Sequence, residues 1–318
     1  MDYSPNESKN SRKTIFLILL FLIFFVGLYF LYYNPFSPKN INDVNLSGSF
    51  SPIFKGAWIR DVNDLPVYIG ETNFYINNLG NLKTNNVKYT IYNNEYQILD
   101  GYIDIINNDK YIGTINHIKI NYDSNVTLKL VINYEGYLST FDKTYSIKFP
   151  RHSYNSTCRF FITPNETNLK RLNTEITNNQ LIHWTAIRDW VGTNIKYEYD
   201  QTQFNTIDYW QFPLETIKSR KGDCEDSAIL LCSLLRSEGW KPEDVFVVVG
   251  EVEGVGHAWV TAKINDNPIY PIWINMEPTS GGLIISQLLD FTSGFNELIG
   301  KTTRAYYFND VYFTFIVP

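Results

Sequence analysis

The spacing of apolar residues changes once along this 318-residue chain, and that change sets the expected fold class. Between about Pro52 and Pro150, apolar and polar residues alternate, most regularly over 126–134 and 118–122. Alternation with a period of two is typical of strands that bury one face, and turn-forming residues separate these runs. Several short strands without a helical run among them predict an antiparallel β-sandwich accessory module, immunoglobulin-like in pattern, over residues 52–150.

After about Arg151 the apolar period becomes helical. One amphipathic helix is predicted where five apolar residues share a face: Leu181, Trp184, Ile187, Trp190 and Val191. A second helix is predicted from Cys224 to about Ser237, because its apolar residues form a wide stripe and Gly239 stands where a C-terminal stop belongs.

Strand-like runs follow the second helix, over 245–252, 258–264 and 270–276. They predict a small antiparallel sheet, and the tail over 304–315 offers residues for one more strand. Residues 151–318 are therefore predicted to form an α+β domain in which a cysteine-bearing helix packs on this sheet.

Only one stretch of the chain is decisively apolar, the uncharged run from Thr14 to Tyr33. Roughly 20 residues at about 1.5 Å each cross the ~30 Å hydrocarbon layer as a helix. A cleaved signal peptide is the alternative, but its apolar region is usually about 7–15 residues long and ends in small residues. Here the run is longer and ends in bulky tyrosines, so we expect an uncleaved transmembrane helix over residues 14–33, embedded in the lipid bilayer.

Charge predicts the orientation of this helix. Basic residues close to it lie mostly on its N-terminal side: Lys9, Arg12 and Lys13. Only Lys39 follows closely, and basic residues favour the cytoplasmic side. We therefore expect a single-pass membrane protein with a cytoplasmic tail at 1–13, a linker at 34–51 and the bulk of the chain outside the cytoplasm.

Composition excludes several classes of site. The 27 basic and 33 acidic residues give a formal net charge of -6, so nucleic acid is not a predicted partner. The chain has no CxxC pair, no HxxxH spacing and no phosphate-binding glycine loop, so no metal site and no cofactor is predicted. In an exported protein, the three cysteines Cys158, Cys224 and Cys232 allow at most one disulfide and leave at least one free thiol.

Cys224 is the candidate nucleophile. It stands at the predicted start of its helix, where backbone N–H groups and the helix dipole favour a thiolate. Cys232 lies two turns further along an apolar run and is predicted to be a core residue. The acidic residues beside Cys224 oppose a thiolate unless they point away or cap the helix.

A nucleophilic thiol needs a base, and His257 is the candidate among four histidines. It begins a predicted strand after a flexible glycine-containing turn, so its ring can lie at the open end of the sheet. Glu277, at the end of the next strand, can lie beside it and hold the imidazole. Taken singly, a structural histidine and a solvated strand-end glutamate are the alternatives.

Three motifs carry a family resemblance: Gly222–Asp226 (GDCED), Gly256–Trp259 (GHAW) and Trp273–Thr279 (WINMEPT). They resemble the signatures of the transglutaminase-like superfamily, over roughly residues 180–280. The lead-in at 209–217 (YWQFPLETI) is similar to that of its bacterial and archaeal proteinase-like branch. The resemblance implies a papain-like domain with Cys224, His257 and Glu277 as a catalytic triad.

Two features of this resemblance stay open. The family's third residue is commonly aspartate, so Asn275, on the same strand face as Glu277, is a substitute for orienting the histidine. The backbone N–H of Cys224 is expected to stabilise the oxyanion, with Trp210 or Gln211 as a possible oxyanion or substrate contact. A packing role is the alternative for those two residues.

The resemblance implies acyl transfer on peptide or isopeptide amide bonds through a thioester. Water as acceptor gives a cysteine peptidase or amidase, which is the function we expect. An amine as acceptor gives a cross-linking transamidase, and a surface binding or adhesion protein without catalysis is the third alternative. The expected partner is a peptide or protein substrate, with cell-envelope material among the candidates.

Overall fold

The computed structural model describes residues 44–105, 109–152, 155–252, 255–265, 269, 271–279 and 303–316. The predicted cytoplasmic tail, the predicted transmembrane helix and most of the predicted linker lie outside these residues. Within them, no helix is both long enough and apolar enough to cross a bilayer.

The N-terminal half forms two four-stranded sheets, as the alternating pattern predicts. One sheet contains β1 (Leu46–Phe50), β2 (Lys55–Arg60), β3 (Pro66–Asn78) and β6 (Lys110–Asn121). The other has the order β5 (Tyr96–Ile105), β4 (Thr84–Asn93), β7 (Ser124–Tyr134) and β8 (Tyr137–Ile147). Along β7 the alternate residues Val126, Leu128, Leu130 and Ile132 are buried. The β-sandwich-like strands are thus confirmed, and β1 falls inside the segment that was predicted to be a linker.

The described chain divides into two compact units that interleave along the sequence. The first contains Asn73–Gly113, Leu128–Lys143 and the described residues up to Phe50, and the second contains Ser51–Thr72, Thr114–Thr127 and the chain from Thr144 onwards. This division differs from the predicted boundary at residue 150. Inside the second unit, the Trp58 ring packs edge-on against Phe149, with 4.9 Å between centroids.

Arg151 shows why the second unit reaches across that predicted boundary. Its guanidinium forms ion pairs with Asp123, on the turn between β6 and β7, and with Glu215 at 2.7 Å. It also lies over the ring of Phe212. One arginine thereby joins a strand-connecting turn to the helical part of the same unit.

The helices of the second unit follow. After a short 3-10 helix at Ser156–Phe161 come α1 (Thr167–Thr177), α2 (His183–Asn194), α3 (Asp200–Gln203), α4 (Pro213–Ser219) and α5 (Cys224–Ser237). The predicted bounds of α5 are confirmed. In α2, Ile187 and Val191 are buried as predicted, but Leu181 precedes the helix and is fully exposed.

A five-stranded antiparallel sheet completes the second unit. Its order is β13 (Trp273–Met276), β12 (Val255–Lys263), β11 (Val245–Val252), β14 (Thr303–Phe308) and β15 (Phe313–Phe315). The tail therefore supplies two strands where the sequence offered one. Helix α5 packs on β11 and β12, and residues such as Leu231, Val247 and Val260 have no exposed surface. Each such side chain contributes roughly 1.5–3 kcal/mol of burial free energy.

Gly222 is required by a close approach to the first turn of α5. A Cβ at position 222 would lie 2.6 Å from the Cβ of Asp226 and 2.8 Å from its Oδ2. The two-residue strand β10 (Lys221–Gly222) pairs in parallel with β9 (Lys196–Tyr197), which fixes the backbone at this point. Glycine is therefore needed here for space.

We predict that Gly222→Ala lowers the free energy of unfolding by about 1–3 kcal/mol, because overpacking forces Asp226 or the backbone to shift. Gly256→Ala is the matched control, since a Cβ at position 256 meets nothing within 4 Å. We expect that control to stay within about 0.5 kcal/mol of the natural protein. Urea unfolding of the two variants measures the difference, and equal losses of stability would contradict the steric argument.

Candidate active site

Cys224 is the first residue of α5 and faces a cavity of about 580 Å³. Helix α4 is followed by Arg220, which adopts a left-handed conformation with φ 57°, and strand β10 and Asp223 then lead into α5. This short connection leaves the side chain of Cys224 half-buried at the helix start. His257, on β12, lines the same cavity. Helix and sheet thus bring together two residues that are 33 positions apart in sequence.

The ring of His257 is held by Glu277. Its Nε2 lies 2.6 Å from Oε2 of Glu277, and both side chains are partly buried. The other carboxylate oxygen, Oε1, accepts hydrogen bonds from the backbone N–H of Thr279 at 2.9 Å and from its hydroxyl at 2.6 Å. Because the carboxylate only accepts, Nε2 carries the proton in this pair and Nδ1 is the second ring nitrogen.

These contacts keep Glu277 charged. Burial acts to raise the pKa of Glu277, but the hydrogen bonds from His257 and Thr279 outweigh it and hold the pKa below its ordinary value. A carboxylate that is ionised and fixed at both oxygens can orient an imidazole and stabilise it when it becomes positively charged. The structure therefore gives Glu277 the position beside the histidine that the sequence suggested.

Asn275 occupies a different position. Its Oδ1 accepts hydrogen bonds from the indole N–H of Trp259 at 3.1 Å and from the hydroxyl of Thr261 at 2.9 Å. Glu277, and not the alternative Asn275, is therefore the residue whose side chain reaches the ring of His257.

The thiol of Cys224 is held in its neutral form. Burial raises the pKa of Cys224, and the charges of Glu225 and Asp223 raise it further. The S–H group donates to Oε2 of Glu225 over 3.2 Å, while a hydrogen bond from the backbone of Ala258 acts in the opposite direction. Burial and the neighbouring acids therefore keep the pKa of Cys224 above its ordinary value, contrary to the expectation of a lowered pKa. The Ala258 contact also places the sulfur one residue away from His257 on β12.

Four carboxyl groups crowd the start of α5, on Asp200, Asp223, Glu225 and Asp226. Burial and mutual repulsion raise the pKa of each, in the case of Asp200 to about 7. Asp200 and Asp226 are almost fully buried, with 1% and 0% of their surface exposed. Asp200 Oδ1 and Asp223 Oδ1 have no hydrogen-bond partner among the residues that the structure describes.

This cluster can hold a hard cation. In each of three groups, one ligand atom per residue lies within 4.8 Å of the others: Asp200, Asp223 and Asp226; Asp200, Asp208 and Glu225; Asp223, Cys224 and Glu225. Carboxylate oxygens are the ligands that Ca²⁺ and Mg²⁺ prefer, and two buried oxygens here lack a donor. The sequence predicted no metal site, because Asp200 lies more than twenty residues before the other buried acids and no spacing rule connects them.

Trp210 and Gln211 have different surroundings. Trp210 is buried, lines the cavity and packs against Phe308 with 5.7 Å between ring centroids. Gln211 does not line this cavity. Its backbone N–H and side-chain amide both donate to Asp226, at 2.7 and 2.5 Å, and the amide also donates to the carbonyl of Lys221. Trp210 therefore lies at the cavity, whereas Gln211 fixes the first turn of α5.

The three cysteines also differ. Cys158 and Cys232 are fully buried, and burial raises the pKa of both thiols. All three are free thiols, and only Cys224 is partly exposed. The core position of Cys232 agrees with its interpretation as a packing residue.

Comparison with known proteins identifies this part of the chain. A family model described as a transglutaminase-like domain matches residues 167–271. The chain contains a transglutaminase-like domain. The matched segment includes Cys224 and His257, and Glu277 follows it by six residues (277 − 271).

The solved structures that match this chain have low sequence identity to it. LapG from Legionella pneumophila, treated with EGTA, is 17% identical over 52% of this chain and 81% of that chain, with a TM-score of 0.36. Its calcium-bound form is 18% identical over the same shares, with a TM-score of 0.33. The CARDB domain of the PF1109 protein from Pyrococcus furiosus, in complex with di-metal ions, is 16% identical over 35% and 98%, with a TM-score of 0.25. No curated protein matches the chain.

The acidic cluster predicts the pH dependence of stability. The pKa of Asp200 is raised from its ordinary value near 4 to about 7, so the folded state binds this proton more tightly than the unfolded state. In chelator-treated protein, the free energy of unfolding should therefore fall as pH rises from about 4 to 7. Asp200→Asn should flatten this slope, and the fall in the free energy of unfolding that it removes is at most about 4 kcal/mol over the whole pH range. Urea unfolding at several pH values measures it, and an unchanged slope would refute the assignment.

The same cluster predicts a response to divalent cations. At pH 7.5, we expect CaCl₂ added to chelator-treated protein to raise the melting temperature, because a cation bound only by the folded state adds about 2.7 kcal/mol at one hundred times its Kd. The double variant Asp200→Asn, Asp223→Asn should lose this response. Glu175→Gln, an exposed acid on α1, is the matched control and should keep it. The prediction would be contradicted if titration of CaCl₂ into the natural protein gave no heat of binding by calorimetry.

Proposed function

We propose that this chain is a thiol enzyme that transfers the acyl group of a peptide or isopeptide amide, with Cys224 as nucleophile, His257 as base and Glu277 as orienting carboxylate. The observation that carries the proposal is the 2.6 Å hydrogen bond between His257 and Glu277 in the cavity that Cys224 also lines. The transglutaminase-like family of the domain supports it.

In the proposed first step, Nδ1 of His257 takes the proton of the Cys224 thiol as sulfur attacks the amide carbonyl. The pair with Glu277 supports this role, since it fixes the proton on Nε2 and leaves Nδ1 able to accept a proton. The carbon–nitrogen bond then breaks, the imidazolium gives its proton to the departing amine, and a thioester remains on Cys224. Because the thiol is neutral at rest, the base must act at the moment of attack.

We propose that water is the second acceptor, so the net reaction is hydrolysis. Carboxylates line the cavity at Asp208, Asp223, Glu225 and Glu251. Negative charges raise the pKa of a nearby amine and keep it as an ammonium ion, which has no lone pair to attack a thioester. This electrostatic setting favours water over a lysine-like amine and argues against a cross-linking transamidase.

A binding protein without catalysis is the second candidate, and one observation favours it. Burial and adjacent carboxylates hold the pKa of Cys224 above its ordinary value, so the thiol is not activated before a substrate arrives. In that case the same cavity would take a peptide without cleaving it.

We also propose that the chain is anchored in a membrane by residues 14–33, with its cysteine domain outside the cytoplasm and envelope peptides among its substrates. The length of the uncharged apolar run and the excess of basic residues before it support this orientation. Treatment of intact cells with an added protease tests this orientation, since a domain outside the cytoplasm is cleaved before lysis. Cleavage of the domain only after lysis would indicate the opposite orientation.

The central prediction concerns acylation of the thiol. With p-nitrophenyl acetate as probe, the full-length protein should gain one acetyl group on Cys224, detected by intact mass and peptide mapping. Cys224→Ala should abolish it, and His257→Ala should slow it by about 100-fold or more. Cys232→Ala is the control, since that thiol is buried and should stay unmodified.

The fate of the acetyl group then separates the candidates. Release by water in the presence of millimolar cadaverine supports hydrolysis, whereas an acetylated amine as main product supports transamidation. No acetylation of a folded natural protein, with or without added Ca²⁺, would favour the binding role and refute the enzyme.

A further inference from the structure

Beside the pair of His257 and Glu277, strands β12 and β13 carry a second hydrogen-bonded group on the same face. Side chains two residues apart on a strand point to one side, so His257, Trp259 and Thr261 line one face of β12. Thr261 lies directly opposite Asn275 in the antiparallel register. Asn275 and Glu277 are also two residues apart, on β13 and the residue that follows it.

Trp259 is fixed at its polar end. Its indole N–H donates to Oδ1 of Asn275 at 3.1 Å, and the hydroxyl of Thr261 donates to the same oxygen at 2.9 Å. An indole N–H can only donate, so these contacts also determine which end of the Asn275 amide faces the tryptophan. Trp259 is 7% exposed and Thr261 is fully buried. The side chains of Trp259, Thr261 and Asn275 thus form one hydrogen-bonded group on this face of the sheet.

The ring of Trp259 lies beside the ring of the histidine. The rings of His257 and Trp259 are nearly parallel, with an interplanar angle of 23° and centroids 6.0 Å apart. An aromatic ring that covers one side of the imidazole restricts its rotation and keeps water from that side of the hydrogen bond to Glu277. The ring that does this is itself held by Asn275 and Thr261.

We propose that Trp259, locked by Asn275 and Thr261, is the positioning residue that sets the plane of His257. This inference rests on the proposed function, in which the imidazole must keep Nε2 on Glu277 while Nδ1 serves the thiol. Asn275 therefore contributes to the geometry of the histidine without touching it, through the indole. Rotation of the imidazole about its side-chain bonds would break the bond to Glu277, and in this proposal the nearly parallel ring of Trp259 restricts that rotation.

A role in stability alone is the competing explanation, because a buried tryptophan commonly needs a partner for its N–H group. The two explanations differ in what they predict for the histidine. A stability role changes the unfolding midpoint and leaves the imidazole of the folded protein as it was. A positioning role changes the hydrogen bond between His257 and Glu277 in protein that is still folded.

The test is proton NMR of the full-length protein. A ring N–H shared with a carboxylate gives a signal far downfield, and we expect one from His257 in the natural protein. Asn275→Ala and Trp259→Leu should broaden or abolish it through faster exchange with water, whereas Asn275→Asp, which keeps the acceptor oxygen, should restore it. Trp273→Leu is the matched control, because Trp273 is equally buried on the same sheet but packs against Phe246.

Kinetics supply the second readout. With p-nitrophenyl acetate, Asn275→Ala and Trp259→Leu should lower the acylation rate of Cys224 by about 10- to 100-fold, the scale expected for misplacing a catalytic group by about 1 Å. Trp273→Leu should stay within about 3-fold of the natural rate. An unchanged downfield signal and an unchanged rate in folded Asn275→Ala and Trp259→Leu would overturn the inference.

The two proposals fail in different ways. The NMR signal needs only His257 and Glu277, so it can be recorded in Cys224→Ala, which has no nucleophile. A natural protein that shows the signal but is never acylated refutes the proposed function and leaves the positioning result intact. A natural protein that is acylated at Cys224 while both variants keep signal and rate refutes the positioning role alone.

Discussion

The burial of α5 against β11 and β12 is the interaction on which the rest of the second unit depends. Residues of this helix such as Ile229, Leu231 and Leu235 have no exposed surface, and they meet the inner face of the sheet through residues such as Val247. Because this contact fixes the helix axis and its rotation, it also fixes the position of Cys224 at the helix start. The hydrogen bond between the sulfur and the backbone of Ala258 is a direct consequence. Packing of an apolar stripe therefore decides where Cys224 meets the strand that carries His257.

The same arrangement carries an electrostatic cost. Asp223, Glu225 and Asp226 belong to the motif around Cys224, and the fold adds Asp200 to them in a buried region. Repulsion and burial raise the pKa of all four, so the cluster takes up protons or a cation in preference to remaining fully ionised. Asp226 accepts two hydrogen bonds from Gln211, and Asp200 accepts one from the backbone N–H of Tyr209. The thiol of Cys224 stays neutral in this setting, so the proposed mechanism assigns its activation to His257 and Glu277.

Local patterns in the sequence predicted the helix and strands whose residues are adjacent in the chain. The bounds of α5, the strands of the sandwich-like sheets and the order of Cys224, His257 and Glu277 all follow from periodicity, stop signals and short motifs. The non-local features could not be read in this way. Asp200 joins the acidic cluster only because β9 and α3 fold back on the start of α5, and Gln211 turns towards Asp226 for the same reason. Leu181 fitted the helical period but lies before the helical residues, where periodicity cannot distinguish a buried face from an exposed approach.

Glu277 shows how the length of one side chain is matched to its neighbours. Its carboxylate bridges two partners, since Oε2 meets His257 and Oε1 meets both donors of Thr279. Position 277 follows the last residue of β13, so the side chain must extend beyond the strand to reach the imidazole. An aspartate on the same backbone would draw the carboxylate back by about 1.5 Å, the length of one carbon–carbon bond, and could not keep both contacts. The glutamate and Thr279 thus act as a unit, in which the turn after the strand holds one oxygen so that the other is fixed on the histidine.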